Sequence, residues 1–202
     1  IEDNNVLSAD IYVDINEGDD ANDGKSEDES IKNFAKALEI AKDNDTIILS
    51  DGVYGGEDNT KIIIDKSITI QGGKNTTFDG DFSNYLFIVT DNVSVAFKNI
   101  NFVNAYKHNS DMEILDGYDT EGIYGSALDI KDARVTLDNC YFQYNLAGFN
   151  SIGEFVYGGA ISNCGDLTIL NTDFYSNAIS SNSEIFGYGG SIYNKAHLVI
   201  NN

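Results

Sequence analysis

Apolar and polar residues alternate over short stretches of this chain. Val95-Ala-Phe-Lys-Asn99, Val135-Thr-Leu-Asp-Asn139, Leu167-Thr-Ile-Leu-Asn171 and Leu198-Val-Ile-Asn-Asn202 each read apolar, any, apolar, any, Asn. A period of two makes them strands, with Val95, Phe97 and Asn99 on one face and Ala96 and Lys98 on the other. Ile68-Thr-Ile70-Gln-Gly72 keeps the pattern with Gly in the Asn place, and Thr46-Ile-Ile-Leu49 and Lys61-Ile-Ile-Ile-Asp65 are further apolar runs. Residues 29–42 carry the other period. Ile31, Phe34, Ala35, Leu38 and Ala41 sit at helical spacing, which predicts one amphipathic helix. Ser26 with Glu29, or Ser30, is positioned to cap its start, and Asp43-Asn44-Asp45 to end it.

The strand motifs recur with a second set of markers. The asparagines fall at intervals of 40, 32 and 31 residues, and Phe102, Phe142 and Phe174 stand three residues after the first three. Upstream of the strands come Tyr124-Gly-Ser-Ala127, Tyr157-Gly-Gly-Ala160 and Tyr188-Gly-Gly-Ser191. A repeat of roughly 31 residues holds about three short strands and three turns, one rung of a parallel β-helix in which like residues stack on like. The expected fold is therefore all-β: a parallel β-helix solenoid with an N-terminal capping α-helix at 29–42. Residues 1–60 form the cap and first rung and residues 61–202 the further rungs, in one continuous domain. Asn99, Asn139, Asn171 and Asn202 are expected to face inward as a structural ladder. An unpaired buried amide costs about 1–3 kcal/mol, which each avoids by bonding the next rung or its own turn. The last repeat stops on the final residue of its matched strand, so the natural protein is expected to extend beyond Asn202.

Charge narrows the partners. With 33 acidic and 12 basic residues the net charge is −21, and Arg134 is the single arginine. Phosphate binding depends on Lys and Arg, so nucleic acid is not an expected partner. No polybasic cluster suits an anionic membrane, and no run approaches the roughly 20 apolar residues of a membrane span. The chain has no proline, so Gly, Asn, Asp and Ser must make the turns. Cys140 and Cys164 lack metal-ligand spacing. They fall at opposite ends of neighbouring strands, beyond the roughly 4.4–6.8 Å Cα separation of a disulfide, and two free thiols are expected.

Two of the repeated motifs carry a resemblance. Gly158-Gly159-Ala160-Ile161, with Phe142-Gln-Tyr-Asn145 and Phe174-Tyr-Ser-Asn177, resembles the repeats of polymorphic outer-membrane-type proteins. Ile11-Tyr-Val-Asp14, Gly18-Asp-Asp-Ala-Asn-Asp-Gly24, Asp45-Thr-Ile-Ile-Leu49 and Asp51-Gly-Val-Tyr54 are similar to the opening of adhesin-like surface proteins of methanogenic archaea. The likeness covers residues 10–202. It implies a pectate-lyase-like, right-handed β-helix displayed outside the cell and attaching to other cells or surfaces. Two departures stand out: Phe102-Val-Asn104 is one residue short of the Phe marker, and Tyr124-Gly-Ser replaces the double glycine.

The same fold hosts polysaccharide lyases and glycosidases, and fold alone does not decide activity. Glycoside hydrolysis needs two positioned carboxylates. The outward residues Lys98, Asp138 and Leu170, with Asp173 nearby, form no such pair; Arg134 is expected to brace a turn, and His108 and His197 have no evident partner. No catalytic residue, cofactor or metal site is therefore expected. The acidic loop 16–24 invites calcium, but Gly18 and Ala21 fall where ligands belong, and turn formation accounts for its Asx residues. Thr69, Thr136 and Thr168 follow strand propensity. Asn44, Asn75 and Asn92 head sequons that permit glycosylation.

The loops after each Phe are the expected binding face, since insertions on one side of a solenoid often build one. They carry Tyr106, Tyr118, Phe149, Phe155 and Phe186 among polar residues, a mixture suited to sugar or protein contacts. The chain is thus expected to be a monomeric, extracellular adhesin-like module that binds a surface glycan or protein of another cell. A polysaccharide-active enzyme and a passive surface stalk are the alternatives.

Overall fold

The computed structural model describes residues 8–90, 92–108, 122–149, 155–181 and 186–202. Short strands dominate it, arranged in five parallel sheets. The first sheet runs through Asp10–Val13, Thr46–Leu49, Ile68–Gln71, Ser94–Lys98, Arg134–Asp138, Asp166–Leu170 and His197–Asn201. The second holds Gly52–Tyr54, Thr76–Asp79, Asn101–Val103, Tyr141–Gln143 and Asp173–Tyr175. The third holds Ile62–Ile64, Phe87–Val89, Leu128–Ile130, Ile161–Asn163 and Ile192–Asn194. From Thr46 onward the chain visits these three in the same order, one strand each, and then returns to the first.

From the repeat that begins at Ser94, two further strands enter between the second and third sheets. They make a fourth sheet (Tyr106–Lys107, Leu146–Phe149, Ala178–Ser181) and a fifth (Gly122–Tyr124, Phe155–Tyr157, Phe186–Tyr188). The loops expected after each Phe thus begin and end as paired strands.

The alternation read from the sequence is the alternation of burial. In the first sheet Ile11, Ile47, Ile70, Phe97, Leu137, Ile169 and Ile200 stand in register. All but Ile200 in the last strand are buried. The second sheet aligns Tyr54, Phe78, Phe102, Phe142 and Phe174, with Phe142 stacked 4.5 Å from Phe102 and 4.9 Å from Phe174. The third aligns Ile62, Phe87, Leu128, Ile161 and Ile192. These columns meet in one apolar interior, where each fully buried Ile, Leu or Phe contributes about 1.5–3 kcal/mol.

Single left-handed residues set the strand ends. Asn99, Asn139 and Asn171 (φ 56°, 53° and 47°) close successive first-sheet strands, and Asn104, Tyr144 and Ser176 (φ 52°, 56° and 52°) close second-sheet strands. Asn tolerates this region better than most residues, because its short amide bonds locally. That backbone requirement corrects the inward ladder. Asn139 and Asn171 are exposed and Asn99 half-buried: the left-handed residue sits at the corner, outside the interior. The three remain in register at adjacent strand ends, and Asn139 Nδ2 donates to Asn99 Oδ1 at 2.8 Å. Asn171 instead donates to Asp138 Oδ1 at 3.0 Å, and Asn202 Nδ2 to the Thr172 carbonyl at 2.8 Å.

The helix is shorter than its period suggested, Phe34–Ile40, preceded by a 3₁₀ turn at Glu27–Glu29. Ile31 leaves it to bridge Val13 on the edge of the first sheet, accepting from Asp14 N and donating to the Tyr12 carbonyl. Neither Ser26 nor Asn33 caps a helix with its side chain, and Ser30 Oγ donates to the Glu27 carbonyl instead. The Asp20 carboxylate takes the N–H groups of Lys32 and Asn33. The helix buries Phe34, Ala37 and Leu38, with the Phe34 ring edge-on to Phe78 (5.3 Å) and Phe87 (5.7 Å). No helix among the described residues is long and apolar enough to cross a membrane.

Candidate binding face on the inserted layer

The inserted strands leave and return through two sequence-encoded turns. On the way out, Asn145 and Asn177 follow the left-handed Tyr144 and Ser176, and they form an inward amide ladder. Asn145 Nδ2 donates to Asn177 Oδ1 (2.9 Å) and to the Phe102 carbonyl (2.9 Å), while its Oδ1 accepts from Ala105 N (3.0 Å). Asn177 Nδ2 donates to the Phe142 carbonyl at 3.0 Å. In the first inserted repeat Asn104 takes the left-handed corner and Ala105 the inward place, which explains why its Phe marker is one residue short. On the way back, Gly158 and Gly189 of the Tyr-Gly-Gly motif adopt φ of 74° and 71°, a region glycine enters without steric cost. Where Ser126 replaces the second glycine, its hydroxyl donates to the Gly159 carbonyl at 2.6 Å.

Two contacts fix the layer in place. Ile123, Ala147 and Val156 form a small buried cluster with Ile179 against it. Beside it, Lys107 of the fourth sheet and Lys131 both donate to Asp129 Oδ2 of the third, at 2.9 and 3.0 Å. The carboxylate side chain is 3% exposed and that of Lys107 6%. Burial by itself would raise the Asp129 pKa, but the charges of Lys107 and Lys131 and their hydrogen bonds outweigh it and hold the carboxyl below its ordinary range. The lysines also lie over aromatic rings, Lys107 at 5.1 Å from Tyr85 and Lys131 at 4.8 Å from Tyr124.

The fifth sheet carries an aromatic array. Its register sets Phe155 beside Phe186 and stacks Tyr124, Tyr157 and Tyr188 in a column. The Phe155–Phe186 centroids are 5.6 Å apart. Tyr124–Tyr157 and Tyr157–Tyr188 are 4.9 and 5.4 Å apart, with ring planes 16° and 12° from parallel. Tyr193 of the third sheet adds a ring 4.7 Å from Tyr157. Phe186 is 63% and Tyr188 44% exposed, and Phe155, Tyr157 and Tyr124 are half-buried. A stacked column offers ring edges and phenol tips along its length, a surface that contacts apolar and hydroxylated partners together.

Of the five binding residues expected from sequence, the structure brings Phe155 and Phe186 together. Tyr106 lies on the fourth sheet, its ring 5.5 Å from His108. Phe149 is on the strand that pairs with Ala178–Ser181, though its side chain lies outside the described residues, as does Tyr118 altogether. The array also includes Tyr124, Tyr157, Tyr188 and Tyr193. The first three were visible as a repeat marker, and a marker spaced by one repeat must stack; that was the available signal.

The chemical groups weighed from sequence have structural surroundings. Asp14, Asp19, Asp20 and Asp23 each accept backbone N–H groups within and around the acidic loop, the work of turn formers. Among the described residues no three His, Cys, Asp or Glu side chains gather as a metal site. Arg134 and His197 both approach Asp166, at 3.8 and 3.7 Å, in an exposed column on the first sheet; such pairs contribute little. Both cysteines are free. Burial, ahead of smaller opposing effects, pushes the Cys140 thiol up to about 11, which leaves it protonated and unreactive at neutral pH.

No protein-family profile matches the chain, and no curated protein or solved structure matches it.

Proposed function

We propose that the chain is a right-handed parallel β-helix and a cell-surface, adhesin-like binding module, attaching to a glycan or protein on another cell. The handedness and the extracellular setting come with the resemblance of its repeats. The repeated order of sheets and the like-on-like columns support the solenoid. The observation that carries the binding role is the aromatic array centred on the fifth sheet: rings carried by an added layer, repeated in register and left partly open to solvent. The apolar interior does not require them, since the repeats before Ser94 are built without that layer.

Binding of the purified chain to glycan arrays and to whole cells tests this. The Phe155→Ala/Phe186→Ala/Tyr188→Ala variant should lose at least about tenfold in affinity while keeping its far-UV circular dichroism. Binding that survives all three substitutions removes the array as the site. A wild-type chain that binds no cell or glycan turns the reading to a passive stalk, and turnover of a polysaccharide turns it to an enzyme.

A further inference from the structure

A second surface lies along the corner between the first and second sheets, away from the inserted layer. There Asn99, Asn101, Asn139, Tyr141, Asn171 and Asp173 line an open groove with a volume of about 490 Å³, within the range of ligand-holding clefts. Its amides are used differently from those of the inward ladder. Asn145 spends both its donor and its acceptor on protein partners. In the groove each amide commits one N–H to a protein partner and, apart from Asn99, whose Oδ1 accepts from Asn139, leaves its oxygen unbonded among the described residues. Asn139 Nδ2 donates to Asn99 Oδ1, Asn171 Nδ2 to Asp138 Oδ1, and Asn101 Nδ2 to Thr77 Oγ1 at 3.2 Å. Among the described residues no protein group donates to Oδ1 of Asn101, Asn139 or Asn171, and the exposed Asp173 carboxylate adds two more acceptor oxygens.

These acceptors belong to successive parallel strands. Asn101, Tyr141 and Asp173 are in register on the outer face of the second sheet, and Asn139 and Asn171 end neighbouring first-sheet strands, so polar side chains recur at the strand spacing of about 4.8 Å. A single cation holds its oxygens at roughly 2.3–2.6 Å and engages only neighbours that gather around it. A row calls for a linear ligand with a hydrogen-bonding group at each step. Left-handed backbone at Asn99, Asn139 and Asn171 holds the row in place before any ligand arrives, which lowers the cost of ordering it. Half-buried Tyr141 gives the row one aromatic surface on which a sugar ring can lie.

We propose that this groove binds a linear, uncharged polysaccharide running along the stacking direction, its hydroxyls donating to the amide oxygens and to Asp173. Lys74 also lines the groove and balances the Asp173 carboxylate, so it is the net charge of −21 that disfavours a polyanion. The site is separate from the aromatic array, and its test separates the two. NMR titration with cellohexaose, mannohexaose and, as an anionic control, hexagalacturonate reads binding at individual backbone amides. At least one neutral hexasaccharide should shift the amides of residues 99–101, 139–141 and 171–173, while hexagalacturonate does not. Asn139→Gly/Asn171→Gly keeps the left-handed backbone without strain and should weaken that binding by about tenfold or more. Phe155→Ala/Phe186→Ala should leave it unchanged. Absence of shifts with every neutral sugar at about 10 mM, near the weakest affinity such a titration reads, overturns the proposal. So does undiminished binding in the double glycine variant, or a shift of the same amides by calcium alone.

Discussion

The repeats before Ser94 and those after it share an interior and differ at one corner. In the earlier part the chain passes from Phe78 in the second sheet to Phe87 in the third by a short turn. In the later part the equivalent passages, Phe102 to Leu128 and Phe142 to Ile161, contain two extra strands. Yet Phe78 pairs with Phe102 and Phe87 with Leu128 as though nothing intervened. Strand pairing constrains only where a connection leaves and returns, and lengthening a connection costs free energy slowly. What changes is the outward face of the third sheet: Ile88 in the earlier repeat stands in register with the ion-paired Asp129 in the later one. One part of the molecule demonstrates the frame, and the other uses the same frame to carry an added, partly polar surface.

Removal of a stacked interior ring should have the largest effect on both parts alike. Phe142→Ala and Phe78→Ala are each expected to cost about 3–5 kcal/mol, read as midpoint shifts in urea unfolding. A markedly smaller loss at Phe142 would mean that the added layer, and not the shared interior, supports the later repeats.

Asp129→Asn probes what only the later part possesses. It leaves the buried Lys107 and half-buried Lys131 ammonium groups without their shared carboxylate, and a loss of about 3 kcal/mol at neutral pH is expected. Because the folded-state pKa of Asp129 lies below its ordinary 3.8, its contribution is complete above that value and disappears as the pH falls through the folded-state pKa. The stability gap between wild type and Asp129→Asn should therefore be constant above about pH 5 and close below pH 4. A gap that is unchanged at pH 2.5 would show that the carboxylate charge is not what holds the layer.

The smallest effect belongs to the corners. Asn139 is in register with Asn99, whose equivalent in the preceding repeat is Gly72. Asn139→Ala should cost about 1–2 kcal/mol for a Cβ in left-handed backbone without the amide's local bond, whereas Asn139→Gly should stay within about 0.5 kcal/mol of wild type. Equal thermal melts for the two variants would assign the residue's value to its bond with Asn99 and not to its backbone.

Much of this frame was legible in the chain. The period of two located the first-sheet strands, and the spacing of Phe102, Phe142 and Phe174 anticipated their stack. The helix was overextended because Ile31 keeps helical spacing while serving the sheet edge; periodicity reports which side chains are buried, not against what. The asparagines misled for a similar reason. Alternation continued through Asn99 places it inward, but one left-handed residue ends the alternation and turns the side chain out. The inward pair, buried Asn145 and half-buried Asn177, lay in the Phe-x-x-Asn marker, whose spacing carries a period without a direction.

By itself, then, the sequence determined which residues are equivalent, because equal spacing along a repeating chain puts equivalent residues at equivalent places in successive strands. Tertiary structure decided which equivalent sets face the interior, which turn the corner, and which meet across sheets. The pairing of Lys107 with Asp129, the gathering of Phe155 and Phe186 with four tyrosines, and the row of free amide oxygens all depend on backbone dihedrals at single corner residues, a quantity no side-chain pattern records.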